Sequence, residues 1–555
     1  MIPKSAFMPL LCGCAAMLWF LLGIGWGLPS RDADAVMFGD RTPWTGAEIL
    51  ELSGGFEQSR EVGADVDLSP TDHGELLNAT DTQRAEIVRR YRLFTQQPDE
   101  WNTLRSLATM RPKQLDFDPR LYQYGGLWIY GVGGLIGVGH VLGLLTLTPD
   151  LAWYLDRPEE VAKLYIAARL WVVIWAAVGA GVMAWLVRRL SGKTWLGVVA
   201  AVGWCLMPVV VYASREAKPH LPSAVCMLIA IGLAMRYLEK PTWKRCALVG
   251  IACGAAFGFV LSGAVAIVLP ITMVLLASLP WKPRLKHTAV GVGTMLLVYA
   301  ITNPYAVVGF LGGDGAFNSN VGTTVGMYEQ NVTGVSRWMS GIGNGLGLML
   351  HAASPPIVGL GLAGYLAMLK RPPMRPVAIL LIVSSLAVVG PYLLAAAGKP
   401  AEHARFALFA DAAFLVPTLM LLVFACDGKT AVAALVAVGV SMLWMAVVGF
   451  GYQLQYLTGD ADRTSQGKAL RAEMKAGDIV VSAFPPAPWS MPAVDLWAHP
   501  IRRHEGSPYE PISAGPGEVS VRPVDQWPTP MSWGGKAMDV RVGVAPDTES
   551  DEQHN

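Results

Sequence analysis

The chain is 555 residues long, 53% hydrophobic and only 15% charged, with a mean hydropathy of +0.40. That balance argues against an ordinary soluble domain and for a polytopic membrane protein. A net charge of +1 leaves no basic excess to neutralise phosphates, which argues against nucleic acid as a partner.

The first element is an apolar run from 5 to 28 behind Lys4, long enough to be an uncleaved first transmembrane helix. Further apolar runs follow at about 121–147, 170–187, 194–213, 221–235, 247–280, 288–311, 339–369, 376–397, 406–426 and 430–457. The 247–280 run is too long for one span and contains Gly258 and Gly263, so it is expected to fold as a hairpin of two helices. The seven cysteines fall in or beside these runs without a C-x-x-C pair, and read as small buried hydrophobes.

Basic residues set the expected topology. The short loops 188–193, 239–245, 281–287 and 369–375 are all Lys/Arg-rich and belong, with Lys4, in the cytoplasm. They fall on one side only if 121–147 does not cross. The expected fold is therefore all-α, with about 11 transmembrane helices and a glycine-rich juxtamembrane helix, 121–147, within a large outer loop, 31–163. That loop is expected to be helical around 82–94. Residues 1–457 form the transmembrane domain. Residues 458–555 form a small α/β extracytoplasmic segment with a helix near 465–478, a strand at 479–484 and disorder after Ala545. The protein is then a multi-pass plasma (inner) membrane protein with a cytoplasmic N-terminus and an extracytoplasmic C-terminus.

The candidate polar residues gather on the outer side of this threading. Asp32 and Asp34 follow span one, and Arg215, Glu216, Lys218 and His220 lie between spans three and four. Asn303 and Tyr305 end a later span. Lys399, Glu402, His403 and Arg405 precede another, and Asp411 lies inside it. A carboxylate inside a span is costly and normally faces a cavity or a partner, here expected on another helix. Acids beside bases at one face suit an anionic, lipid-linked substrate, with cations holding phosphate while a carboxylate acts as base or metal ligand.

The order of motifs resembles the GT-C class of polyprenyl-phosphate-dependent membrane glycosyltransferases, which includes the protein O-mannosyltransferases and lipid A aminoarabinose transferases. That class carries an outer-loop acidic motif, commonly Asp-Glu followed by an aromatic. Asp34, Phe38 and Gly39 match the mannosyltransferase spacing, with Ala35 in place of the glutamate. The stretch 117–135, with Tyr124, resembles the class's segment leading into a juxtamembrane helix. Residues 165–193, 211–239, 302–308 and 403–417 resemble later segments in order. The resemblance covers about 5–425, and the insertion at 41–115 has no counterpart in it.

The resemblance implies inverting transfer of a sugar from a polyprenyl-phosphate carrier to an acceptor (protein, lipid or glycan) on the outer face, as in protein glycosylation or cell-envelope assembly. It implies Asp34 as base with Asp32 assisting, and Arg215, Lys218, His220 and Arg405 at the lipid phosphate. Glu216, Tyr124, Asn303, Tyr305 and Asp411 are further candidates. The class admits a divalent metal, for which Asp34 and His220 are the candidate ligands. A transporter or lipid flippase is the competing reading and requires charge near mid-membrane and often internal repeats. A non-catalytic relative that only binds the carrier is the third.

Overall fold

The computed structural model describes residues 4–53, 76–97, 99–313, 315, 317–320, 322, 335–395, 401–425, 428–458, 462–475, 477–482, 491–504, 517–523 and 538–542. Lys399, Cys426, most of the 313–337 stretch and the tail after Ala545 lie outside them.

The chain is mostly helical. Among the described residues, six helices are long and apolar enough to cross a membrane: Pro158–Ser191, His220–Glu239, Trp281–Thr302, Arg375–Leu393, Ala404–Phe424 and Gly428–Thr458. A bent pair, Gly345–Ala353 with Pro355–Leu369, makes a seventh if counted as one span. The expected eleven are not matched by this length criterion, and the reason is local. Apolarity runs on where the helix does not. Pro208 divides the 194–213 run into Thr194–Leu206 and Pro208–Ala213, and Ser354 (φ +81°) before Pro355 bends the 339–369 run by 91°. The 247–280 run breaks at Val260, between Trp243–Phe259 and a 3₁₀ turn, Leu261–Ile267, continued by Val268–Leu276. There the chain folds back closely enough that a Cβ on Gly263 would stand 2.2 Å from the Ala256 carbonyl oxygen.

The glycine-rich stretch forms helix Gly126–Val141, whose 16 residues are short of a full span. Its start is fixed by backbone contact: Tyr124 bridges Val260, Gly125 N–H donates to Phe259 O (2.9 Å), and Leu261 N–H donates to Gln123 O (3.0 Å). A Cβ on Gly125 would sit 2.0 Å from the Gly258 carbonyl oxygen, so only glycine permits this approach.

Helices His220–Glu239 and Ala404–Phe424 are 78% and 72% buried, against 17% for Trp281–Thr302 and 22% for Gly428–Thr458. The first two are therefore central to the bundle and the latter two lie at its rim. Two of the basic loops meet at one end of it: Arg189 pairs with Glu239, and Arg189 and Arg236 both stack on Trp185.

Outside the bundle, helix Asp81–Leu93 opens with a capping box made by Thr80 and Gln83. The C-terminal segment supplies helix Arg463–Glu473 and a four-stranded sheet in the order β2-β1-β3-β4, from Ile501–Arg503 (β2), Ile479–Ser482 (β1), Glu518–Pro523 (β3) and Met538–Val542 (β4). β1 runs parallel to both neighbours, and β3–β4 is antiparallel. The segment docks on the first loop. Asn78 Nδ2 donates to the Leu496 and His499 carbonyls, its Oδ1 accepts from Ile501 N–H, and Tyr91 OH donates to Met491 O.

Candidate functional site

Two ion-pair networks start from neighbouring residues of the first loop. Glu100, in the first turn of helix Glu100–Thr109, faces inward and binds Arg169 of helix Pro158–Ser191 through two hydrogen bonds (2.9 and 2.7 Å), with both side chains fully buried. Arg169 also donates to the Ile24 and Trp26 carbonyls, and Glu100 accepts the Ala217 N–H (2.6 Å). This network pins the 99–100 position against the start of the bundle and against the 214–220 turn.

Asp99, one residue earlier, faces the other way. It occupies the N-cap position but its side chain makes no capping bond. Instead, Lys218 Nζ approaches its carboxylate at 3.0 Å and Arg405 Nη2 at 3.4 Å. Lys218 also pairs with Glu216 (3.3 Å), which accepts from Gln97 Nε2 (2.8 Å). The Lys218 and Arg405 side chains are buried, whereas that of Asp99 is 42% exposed, so the carboxylate is the reachable member of the cluster. His220, the first residue of its helix, lies edge-on between Tyr124 and Phe406, at 6.4 and 4.7 Å between ring centroids. Burial, and after it the Asp99 charge, raises the Tyr124 phenol above its ordinary range, while Lys218 and Arg405 oppose the shift. Tyr124 is therefore a neutral donor beside the cluster.

Lys218, Glu216, Arg405, Tyr124 and His220 thus come together around Asp99. The other expected residues whose side chains are described do not join them. The Asp34 carboxylate is buried and taken by guanidinium groups: Arg92 bonds both oxygens (3.3 and 2.8 Å) and Arg31 a third time (3.3 Å). Arg92 is itself fixed by the Trp44 and Leu155 carbonyls. Phe38 packs with Trp44 and Trp497, and a Cβ on Gly39 (φ +57°) would collide with Asp495. The 34–39 motif therefore belongs to the seam between the first loop and the C-terminal segment. Asp32 is exposed, its N–H donating to Ser30 Oγ.

Arg215 turns away from Lys218. It donates to the Phe20 carbonyl and to Gln453 Oε1 (2.5 Å), and desolvation lowers its pKa to about 10. Asn303 serves the fold, its Oδ1 accepting the Gly126 N–H (2.6 Å) at the start of helix Gly126–Val141. Tyr305 OH accepts from Phe117 N–H (3.3 Å). Asp411 is fully buried and, among the described residues, neither oxygen has a hydrogen-bond partner. The expected partner on another helix is not found there. The side chains of Glu402 and His403 are outside the described set.

Asp99, Glu100 and Arg169 are the residues that the sequence reading missed, although a signal was present. Asp99-Glu100-Trp101 is an Asp-Glu-aromatic tripeptide, complete where the 34–39 match lacks its glutamate. A metal requires converging ligands, and among the described residues no three His, Cys, Asp or Glu side chains form such a group. With both Asp34 oxygens held by arginines, the Asp34–His220 pair does not fit a metal, and no step is derived through one.

Bundle and cluster together define a polytopic membrane protein with a cluster of acidic and basic side chains at one end of its helices. Residues 161–307 match the family described as dolichyl-phosphate-mannose-protein mannosyltransferase, and this supports a GT-C-type glycosyltransferase family for the chain. The matched stretch contains Arg169, Glu216, Lys218 and His220 but not Asp99, Tyr124 or Arg405. No curated protein matches the chain.

Proposed function

We propose that the protein transfers a sugar, with inversion, from a polyprenyl-phosphate carrier to a hydroxyl or other nucleophile on the extracytoplasmic face, and that Asp99 is the general base. The observation that carries this reading is the convergence of Lys218 and Arg405 on the accessible Asp99 carboxylate, at 3.0 and 3.4 Å. Two buried cations aimed at one reachable anion also suit a lipid phosphate arriving in the same place.

The donor phosphate competes with Asp99 for Lys218 and Arg405. As it takes them over, the carboxylate is released to accept a proton. The acceptor oxygen then attacks the anomeric carbon, its proton passes to Asp99, and the bond from that carbon to the phosphate oxygen breaks. The carrier leaves as an anion, stabilised by the same two cations. Tyr124, kept protonated, is a further donor toward phosphate or sugar. Helix length supports the extracytoplasmic location. Arg169 beside the site and Arg189 in the basic loop are twenty residues apart on one helix, about 30 Å, the thickness of a bilayer core. If the basic loops are cytoplasmic, the site is at the opposite face.

The test is transfer from a panel of polyprenyl-phosphate sugars in membranes. Lys218→Ala and Arg405→Ala are each expected to raise the donor KM about 10- to 100-fold, the loss of one charge-assisted contact. An unchanged donor KM in both variants would remove the phosphate site from this reading.

A further inference from the structure

The C-terminal segment lies outside the matched stretch, yet one of its residues reaches the loop that carries Asp99. Arg463, the first residue of helix Arg463–Glu473, is 3% exposed. Its Nη2 donates to the carbonyls of Tyr91 (2.8 Å) and Phe94 (2.6 Å), at the end of helix Asp81–Leu93. The last carbonyls of a helix have no partner within it and carry the negative end of its dipole, so a fixed cation there satisfies both needs. The guanidinium lies 4.5 Å from the Tyr91 ring centroid, and the Arg463 N–H donates to Gln96 Oε1 (3.0 Å).

The turn that follows has other anchors. Gln96 N–H donates to Gly27 O (2.8 Å), Thr95 Oγ1 to Gln97 O (2.8 Å), and Gln97 Nε2 to Glu216. Beyond it the Glu100–Arg169 pair fixes the next helix. Asp99 therefore stands between two clamps, one inside the bundle and one supplied from more than 350 residues along the chain.

We infer that Arg463 is a positioning residue for sugar transfer: it holds the 94–97 turn and thereby sets where the Asp99 carboxylate stands. This rests on Asp99 being the base. Arg463 touches neither Lys218 nor Arg405 in the contacts above, so its loss acts on the catalytic step more than on donor binding. A misplacement of about 1 Å costs up to about a hundredfold in rate.

The experiment compares full-length wild type with Arg463→Ala and Arg463→Lys, by amide hydrogen exchange over 91–99 and by transfer kinetics with polyprenyl-phosphate sugars. Arg463→Ala is expected to lose protection at 94–97 and to drop kcat about 10- to 100-fold, with donor KM within about twofold of wild type. Arg463→Lys, which can reach a single carbonyl, recovers part of both. Wild-type kcat in folded Arg463→Ala, or a lowered kcat with wild-type exchange, overturns the inference. If Arg463→Ala does not fold, Arg463→Lys, which loses at least one of the two carbonyl contacts, takes its place. The same two readouts then apply, and wild-type values for both overturn the inference. Failure of the base assignment is told apart by Asp99→Asn: full activity there sinks the catalytic reading, while the exchange data still report on the clamp.

Discussion

Asp34 and Asp99 belong to the same loop, and each meets cations, yet the structure treats them oppositely. Asp34 is sealed, its side chain 6% exposed and bonded three times by Arg92 and Arg31. Asp99 is 42% exposed, and Lys218 and Arg405, which approach it, belong to the bundle. A carboxylate whose lone pairs are filled by buried guanidinium groups is a rivet, because removing either partner strands a charge away from water. One that is reachable, and whose partners another anion can claim, is available for chemistry. Burial and partner identity separate the two roles where the one-letter code does not.

The largest effect that would sharpen this contrast is loss of the Asp99 carboxylate. Asp99→Asn keeps the shape and should lower kcat by about 10²–10⁴-fold, with thermal stability close to wild type. Next comes the rivet. Arg92→Ala leaves Asp34 buried with only the half-exposed Arg31, and should cost about 3–5 kcal/mol of stability, measured by denaturation in detergent. A small stability loss combined with a large rate loss would exchange the roles assigned to the two aspartates.

The smallest effect is at Tyr124. Its phenol is raised by burial first and the Asp99 charge second, so folding favours the protonated form. Any stability from that preference is complete below the ordinary phenol value of about 10 and is lost as pH rises beyond it. Tyr124→Phe should therefore lower the rate about tenfold or less without moving any inflection of the kcat/KM profile below pH 10. An inflection in that range that vanishes in Tyr124→Phe would contradict a neutral donor.

Much of the fold was legible because its signals are local. The 81–93 helix, the 463–473 helix, the strand at Ile479, the short helix at 126–141 and the fold-back in 247–280 all follow from apolar runs, caps and length. The span count was less so, since continuity depends on Pro208, Val260 and Ser354 rather than on hydropathy. Of the residues the structure gathers, Glu216, Lys218, His220 and Arg405 stand out in the sequence because charge at a membrane boundary is rare, and Tyr124 through the resemblance of 117–135. Asp34 stands out over Asp32 because the motif is sought next to the first helix, whereas the Asp-Glu-aromatic tripeptide at 99–101 lies further along the loop. No sequence spacing could show that Arg92 closes over Asp34, or that Arg463 reaches back to the turn before Asp99, because both contacts are tertiary.

The most direct measurement is polyprenyl-phosphate sugar transfer by Asp99→Asn and Asp34→Asn side by side, normalised to folded protein. Asp99→Asn is expected to be at least a hundredfold slower than wild type, whereas Asp34→Asn keeps its rate per folded molecule and loses stability. Full activity in Asp99→Asn, with the loss falling on folded Asp34→Asn, would contradict Asp99 as the base.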